Sequence, residues 1–567
     1  MKEYFSFICW VPLDEKLHHF FGFTEFITAL ALMVLVWTTV GARYQFRIKT
    51  APIPLYKITF FSICFIGMST LLTNLWYAEK WYVPAGDIIS PAVWEAILGG
   101  WFFLIFLLWI WFAFIRPSRF SRWNAKYYEE TISQALVKSS SAELPEIAEE
   151  VIKSSHSLIK YSWGCNERPS NLKLTLWKNL CRSSLIARDS AFQILTLIAD
   201  RRFCRYVVQY SPITVFALME DVVKENKYNA PLDVFSSNIT TEALNYRDSF
   251  IYRERSSYTN GSIGLYKPIT RMLYGNYKLV DAFFTLNVYY KEVYKWDSEQ
   301  LDAYFGLVLM SIKDFIKING KSYIYQIPEF LLKLDLTVLP INFSLNKISE
   351  ISDGWHKEEG YKKFEVYVEF LKELVRILNK YSIQDGSNVL GRNNSLIQNN
   401  FYDYVACLMF NAIYEASTVK KNQFYVWQIQ HNLVWSSFFG SCITEGKATN
   451  NILSKLQRLI YFEIKKMDEM PNFKSAAILG MVLNVMGMNL VKQKGISNIR
   501  NRALHRAVIG WTRRNFGKLL KHNYVIAQAC LVDGLNVEKK KYLVKTYLPL
   551  LGESPNKDFL LLDDVLG

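Results

Sequence analysis

The chain has 567 residues, of which 51% are hydrophobic and 16% aromatic, and it carries a formal net charge of +15. Eight cysteines without a CxxC pair exclude a disulfide scaffold or a clustered zinc site, so we expect reduced core cysteines. The excess of basic residues favours an anionic partner, which could be a lipid surface or a nucleic acid.

Three apolar segments precede Arg116, at about 20–40, 58–77 and 92–115. A helix rises about 1.5 Å per residue, so each segment is long enough to cross a hydrocarbon layer of about 30 Å. The sequence therefore predicts a transmembrane domain of three helices within residues 1–126.

The charges of the connecting loops predict the orientation of these helices. The loop between the first two segments and the stretch after the third are basic, whereas the loop between the second and third contains Lys80 beside Glu79 and Asp87. Basic loops remain in the cytoplasm. We therefore expect an external N-terminus and a cytoplasmic C-terminal region. The expected location is a plasma membrane, which would be the inner membrane in a bacterium. The basic residues are Arg43, Arg47, Lys49, Lys57, Arg116, Arg119, Arg122 and Lys126.

Three polar side chains, Glu25, Asn74 and Glu95, fall near the predicted outer ends of the segments. One interpretation is that they are interfacial residues reached by water, and the other is that they form a polar cluster that couples the helices.

In the third segment, Ala92, Ala96 and Gly100 are spaced by four residues. Such spacing forms a groove for a second helix, from the same chain or from a neighbouring copy.

The chain after Tyr127 is predicted to be mainly α-helical. Apolar residues recur at helical spacing in four stretches, and Asp297 with Gln300 predicts a capping box before one of them. The stretch 476–491 is predicted to be a buried core helix, and 427–435 permits a strand although a helix is favoured. We expect a helical cytoplasmic domain at 127–383, a polar linker at 384–400 and a basic helical domain at 401–567. The four stretches are 143–159, 298–318, 364–380 and 452–467.

The most unusual feature is a stretch from Met470 to Val532 that contains ten basic residues and no acidic ones. Such a surface could bind a soluble phosphate-bearing ligand, nucleic acid or lipid headgroups, or it could dock on acidic surface within the protein. The tail 557–567 could fold onto this stretch, serve as a docking motif or fray. The candidate phosphate-binding residues are Arg500, Arg502, Arg506, Arg513, Arg514, Lys518 and Lys521.

No motif predicts catalysis, a cofactor or a metal site. Residues Gly386 to Gly391 have the glycine spacing of a phosphate loop, but Arg392 and Asn393 follow where that loop needs a lysine and a hydroxyl residue. An enzyme is therefore not favoured, and we expect no catalytic residues and no cofactor.

The architecture suggests a non-enzymatic membrane effector or sensor whose cytoplasmic body binds a ligand or a protein partner. Its membrane part would contact lipids and could self-associate into a homo-oligomer. By architectural analogy alone, bacterial defence effectors that act on membranes have such a layout. One alternative is a membrane-anchored enzyme, or a protein that binds nucleic acid or a nucleotide through residues 492–521. A membrane scaffold is the other alternative.

Overall fold

A computed structural model of the chain is mainly helical, as predicted, and contains two compact units, 1–242 and 243–567. The predicted domain at 127–383 and the predicted linker at 384–400 remain predictions. Nearly all of the linker lies outside the described residues. The described residues are 3–5, 8–11, 20–39, 41–84, 91–115, 118–138, 143–162, 178–256, 268–288, 290–320, 327–332, 343, 345, 348, 354–381, 400–440, 445–489, 496–539, 541–549 and 554–563.

The first unit contains a small antiparallel sheet in the order β1-β2-β3, in which Trp10 pairs with Pro84. Its strands are β1 (Glu3–Phe5), β2 (Ile8–Val11) and β3 (Val83–Pro84). Its helices are α1 (Phe23–Thr39), α2 (Ala42–Lys49), α3 (Leu55–Ala78), α4 (Pro91–Ile110, continued by the π-helical turn Trp111–Ile115), α5 (Ala125–Lys138), α6 (Leu144–Tyr161), α7 (Lys178–Leu197), α8 (Arg201–Tyr210), α9 (Ile213–Glu225) and α10 (Asp233–Asn245).

Two helices are long and apolar enough to cross a membrane: α3, with 24 residues, and α4 together with its π-helical turn. The first predicted segment differs from a simple span. Its helix α1 has 17 residues, about 25 Å at the usual rise, and the chain then bends by 112° into α2. If this bent pair is counted as one span, the number of candidate spans is three.

Aromatic side chains of α1 and the residues before it pack against glycines of α3 and α4. A Cβ atom added to Gly67 would lie 3.0 Å from the Phe26 ring, and one added to Gly99 would lie 3.2 Å from Phe21. Phe26 belongs to a core that also includes Met33 and Ile66. The two glycines therefore allow the three helices to approach closely.

The outer faces of α3 and α4 are apolar and exposed. Phe61, Met68 and Leu104 are each more than 60% exposed, and many neighbouring large apolar side chains are exposed as well. A soluble monomer rarely has so large a contiguous apolar surface, so these faces need lipid or another chain around them.

The rest of the first unit is a body of amphipathic helices, in which α6 packs on α9 and α5 packs on α7. The predicted helix at 143–159 is confirmed as α6, with Pro145 in its first turn. The Asp200 carboxylate accepts hydrogen bonds from the backbone N–H groups of Arg202 and Phe203, which caps α8.

The second unit contains further helices and an antiparallel sheet in the order β4-β5-β6. Its strands are β4 (Leu535–Glu538), β5 (Tyr542–Thr546) and β6 (Lys557–Leu561). Its helices are α11 (Phe250–Ser256), α12 (Pro268–Tyr274), α13 (Tyr277–Phe283), α14 (Tyr290–Val293), α15 (Ser298–Asn319), α16 (Glu359–Tyr381), α17 (Phe401–Ser417), α18 (Gln423–Trp427, continued by the π-helix Gln428–Trp435), α19 (Ser436–Phe439), α20 (Lys447–Lys465), α21 (Phe473–Met486), α22 (Ile496–His522) and α23 (Tyr524–Ala529).

The predicted helices of this unit are confirmed. The Asp297 side chain accepts from the backbone of Gln300, whose side chain accepts from the backbone of Asp297, so α15 begins with the expected capping box. On α16 the predicted apolar face is buried, including Phe364, Leu371 and Leu378. The segment 428–435, where a strand was permitted, is helical as favoured.

Helix α21 is the predicted buried core helix, and its residues from Ser475 to Met486 are all buried. It packs against α17, α20 and α23. The approach to α23 is so close that a Cβ atom on Gly480 would lie 2.3 Å from the carbonyl oxygen of Cys530.

We expect Gly480→Ala to destabilise the second unit by roughly 1–3 kcal/mol, because the added methyl group overlaps backbone that cannot rotate away. The matched control is Gly510→Ala on α22, where an added Cβ atom meets nothing within 4 Å. That control should be neutral, or stabilising by up to about 1 kcal/mol through helix propensity. Thermal unfolding of the full-length variants in detergent measures both effects, and equal melting temperatures would contradict the packing described here.

Candidate functional site

Seven of the ten cations in the acid-free basic stretch lie on α22, a helix of 27 residues within that stretch. Its buried face includes Val508, Trp511 and Phe516, which pack into the unit. The candidate cations lie on the other side of the helix. Six of them have exposed side chains: Arg502, Arg506, Arg513, Arg514, Lys518 and Lys521. The side chain of the seventh candidate, Arg500, lies outside the described residues.

The described part of the C-terminal tail folds onto this helix. Strand β6 pairs with β5, and the backbone N–H of Asp563 then donates to the carbonyl oxygen of Arg513 at 3.0 Å. The Arg513 guanidinium donates back to the Asp563 carboxylate at 2.6 Å. Arg513 is therefore used within the protein, as one of the sequence interpretations proposed. Asp564 lies outside the described residues.

Two of the other candidates, Arg514 and Lys518, line a cleft of about 640 Å³ between α20 and α22. Lys465 of α20 brings a third cation to this cleft, and Asp468 contributes a carboxylate. Lys465 and Arg514 have no ion-pair partner within the described part of the chain. We call this concavity the basic cleft. The other residues that line it are Tyr461, Met467, Pro471, Trp511, Asn515, Leu519, His522 and Asn523.

Two hydrogen bonds hold the walls of the basic cleft together. The indole N–H of Trp511 donates to Asp468 Oδ1 at 2.8 Å. One end of α22 is tied to α20 by a bond of 2.9 Å from the Gln457 amide to Asn501 Oδ1. The Asp468 carboxylate is thus partly occupied by an uncharged donor.

Sequence reasoning missed the contribution of α20 to this cleft. Tyr461 and Lys465 are one turn apart on an ordinary amphipathic helix, so nothing local distinguishes them. The signal that identified Arg514 and Lys518 was charge segregation, which does not reveal which cations face a concavity. Arg502 and Arg506 belong to the same basic run but do not line the cleft.

The three polar residues of the N-terminal segments converge on the start of α1. Glu95 on α4 is fully buried, and its Oε2 atom accepts hydrogen bonds from the backbone N–H groups of Phe20 at 2.7 Å and Phe21 at 3.1 Å. A Cβ atom on Gly22 would lie 3.0 Å from Glu25 Oε2 and 3.5 Å from Asn74 Oδ1. This geometry connects α4 to the entry of α1.

The small-residue groove on α4 faces outward within the described chain. Ala96 and Gly100 are exposed, Ala92 is half-buried, and an added Cβ atom on Gly100 would meet nothing within 4 Å. The close contact to α1 uses Gly99 instead. The predicted groove is therefore not filled by the described residues of this chain.

A charged joint connects the N-terminal helices to the helical body of the first unit. Arg47 on α2 donates from Nε to Glu150 Oε1 on α6 at 3.2 Å, and the two side chains are only 7% and 2% exposed. Arg47 also donates from Nη1 to the carbonyl oxygen of Ala113 in the π-helical turn, again at 3.2 Å. One guanidinium thus links three elements, which is an arrangement that the sequence did not predict.

Neutral hydrogen bonds and an outer ion pair complete this joint. The Asn124 amide donates to the carbonyl oxygen of Thr50 at 2.9 Å, and Ser118 Oγ lies 3.0 Å from Thr50 Oγ1. On the surface, Arg43 pairs with Glu149, and both side chains are 41% exposed. The neighbouring Arg43 and Lys153 lower the pKa of Glu149, despite partial burial that opposes this effect.

A second cluster of buried polar and aromatic side chains surrounds Lys545 of β5. Its ammonium donates to the carbonyl oxygen of Asn484 and lies 4.9 Å from the ring centre of Trp427 and 4.4 Å from that of Tyr547. Asp558 is paired with Lys545 across the sheet and accepts a hydrogen bond of 2.7 Å from the Tyr547 hydroxyl. Burial lowers the pKa of Lys545 to about 7, although the nearby carboxylate opposes this shift.

The described residues contain no group of three or more histidine, cysteine or acidic side chains that could hold a metal ion. The described cysteines are free, and two of them, Cys204 and Cys530, are buried. Burial raises the pKa of the Cys530 thiol to about 12. Such thiols are unreactive core residues.

Comparison of the chain with protein-family models, curated proteins and solved structures finds no match.

We expect stability to increase with pH above about 7 because of Lys545. Its pKa is about 7 in the folded protein and near 10.4 in an unfolded chain, so the unfolded state binds more protons between these values. Folding therefore becomes more favourable as pH rises through this window. Lys545→Met should remove that increase, because methionine does not titrate.

The pH dependence of the melting temperature tests this expectation when the slope of each variant is compared with that of the unchanged protein. Lys541→Met, on an exposed residue of the same hairpin, is the matched control and should keep the original slope. An unchanged slope for Lys545→Met would show that the buried amine does not titrate as described.

Proposed function

We propose that the protein is a membrane-anchored, non-enzymatic effector or sensor. Helices α1, α3 and α4 would lie in the membrane with the N-terminus outside, and the helical body in the cytoplasm would bind a ligand or a partner. The exposed apolar faces of α3 and α4 support the membrane part of this proposal. The basic loops at one end of these helices support the orientation.

The observation that carries the proposal is the joint at Arg47. A flexible anchor needs only a linker between membrane and body, but here the helices that would lie in the membrane are fastened to α6 through a buried ion pair. Breaking such a pair is costly, so the two parts should move together. That rigidity suits a protein in which events in the body and in the membrane influence each other.

Residues near the joint suit a membrane surface. The Trp123 side chain is 80% exposed, and the neighbouring side chains of Arg122 and Lys126 are exposed as well. Aromatic and basic side chains are typical of the cytoplasmic interface, where anionic headgroups attract them. Membrane lipids would be the first partner of this region.

Self-association through α4 is the second part of the proposal. The outward groove of Ala92, Ala96 and Gly100 would allow close approach of a helix from a neighbouring copy. A homo-oligomer would bring several copies of α4 together, which is one way in which a protein with so few spans could act on the bilayer.

Digestion by protease in oriented membrane vesicles tests the proposed topology. We expect trypsin to degrade the body in inside-out vesicles and to leave it intact in right-side-out vesicles, because only the former expose the cytoplasmic face. Detergent should make the body accessible in both preparations. Digestion in intact right-side-out vesicles, or recovery of the full-length protein in the soluble fraction, would refute the proposal.

We expect Glu150→Ala to destabilise the joint by roughly 3–5 kcal/mol, because it leaves the buried Arg47 without its carboxylate partner. Arg47→Ala should cost less, because Lys153 lies 3.1 Å from Glu150 Oε1 and still pairs with it. The double replacement Arg47→Met with Glu150→Leu should recover much of this loss. The matched control is the exposed pair, in which Arg43→Ala or Glu149→Ala should cost about 0–1 kcal/mol.

Thermal unfolding of the full-length variants measures these differences. Equal effects at the buried and exposed pairs would contradict the role of the joint.

A further inference from the structure

In the basic cleft, cations from two helices of the second unit meet. Arg514 and Lys518 approach from α22, and Lys465 approaches from α20. Arg514 and Lys518 are one turn apart and lie on the same side of their helix, so both can reach one anionic group. Asp468 is the acidic residue of the cleft, and it already accepts a hydrogen bond from Trp511.

We propose that the basic cleft binds a small phosphate-bearing ligand of nucleotide size. This inference rests on the proposed role of the cytoplasmic region as the ligand-binding part, and it names the class of that ligand. The shared chemistry is a phosphate group held by one guanidinium and two ammonium groups. Free nucleotides and lipid headgroups both carry such a group, and we commit to the soluble ligand.

The guanidinium and ammonium groups of the basic cleft favour a phosphate-bearing ligand over other anions. A guanidinium can donate two parallel hydrogen bonds to the oxygens of a phosphate, and such charge-assisted bonds are stronger than neutral ones. Lysine ammonium groups add point charges with several donors. With Arg514 and Lys518 on one wall and Lys465 on the other, a phosphate can be contacted from both sides.

The volume of the basic cleft and the uncharged residues that line it favour a ligand larger than a simple ion. A volume of about 640 Å³ lies within the roughly 300–1,000 Å³ that is typical of sites for small organic ligands. The half-buried ring of Tyr461 provides surface for an uncharged part of the ligand. The amides of Asn515 and Asn523 can donate and accept hydrogen bonds at its edges.

Nucleic acid would use a different set of residues. A polyanion would follow the length of α22 and contact Arg502 and Arg506 as well as the cleft, because its affinity comes from the number of neutralised phosphates. A small ligand would depend on Arg514, Lys518 and Lys465 alone. Arg502 and Arg506 lie on the same helix as Arg514 and Lys518, so these two pairs provide a matched comparison.

The test is calorimetric titration of the full-length protein in detergent with ATP and with tripolyphosphate at physiological salt. The cleft variants are Arg514→Ala with Lys518→Ala, and Lys465→Ala alone. The control is Arg502→Ala with Arg506→Ala, which removes the same charge one turn apart on the same helix. We expect each cleft variant to weaken binding by roughly tenfold or more, because each lost charge-assisted bond has at least that effect.

The control should bind the probes as the unchanged protein does, and ATP should bind more tightly than tripolyphosphate if the uncharged lining contributes. Equal weakening by the control and the cleft variants would overturn the proposal in favour of a general polyanion surface. No binding of either probe at millimolar concentration would also overturn it.

A last experiment distinguishes a soluble phosphate-bearing ligand from a lipid headgroup. The same titration is performed in nanodiscs with and without phosphatidylglycerol. Competition by the anionic lipid would assign the cleft to a headgroup and refute the soluble ligand, whereas unchanged ATP binding would support it. Neither result depends on which side of the membrane the body occupies, so failure of the cleft can be distinguished from failure of the proposed topology.

Discussion

The buried pair of Arg47 and Glu150 is the interaction on which the first unit depends. The buried Arg47 requires the Glu150 carboxylate, and Glu150 is paired with Lys153 as well. The π-helical turn at the end of α4 contributes the third component, because Arg47 also reaches the carbonyl oxygen of Ala113 there. That oxygen lies in the last turn of the helix, and a regular α-helix could not satisfy it either, because residue 117 is a proline without an N–H. The start of the body is therefore positioned by a side chain that follows the first apolar helix.

The helices could be predicted because their signals are local. The apolar spacing in 364–380 and the cap at Asp297 each depend on residues within a few turns, and the structure confirms both. The joint could not be predicted in the same way, since Arg47 and Glu150 are 103 residues apart and belong to helices that look ordinary by themselves. The candidate site was predicted only in part, because charge segregation identified Arg514 and Lys518 but gave no indication of Lys465 on another helix. The bend after α1 was also missed, because apolar length alone does not reveal where a chain turns.

The acid-free stretch has a structural explanation in the second unit. Two carboxylates from outside the stretch contact it, Asp468 just before it and Asp563 far after it. Asp563 neutralises Arg513 directly, whereas Asp468 accepts a hydrogen bond from the uncharged indole of Trp511. One helix thus combines a cation used for internal docking, cations on an open face and cations in a concavity. This division follows from the direction in which each side chain leaves the helix, which explains why neighbouring residues of the same type differ in environment.

The shortness of α1 has a consequence for the bilayer itself. At about 25 Å, this helix is shorter than a typical hydrocarbon layer of about 30 Å, and the 112° bend prevents α2 from extending it. The entry to α1 is held by Glu95, so the helix has little freedom to slide along its neighbours. In the proposed insertion, a helix this short would thin the lipid around it, because tilting would shorten its reach across the bilayer further. Copies that gathered would share one thinned region, so lipid thickness would influence both where the protein resides and how strongly its copies attract each other.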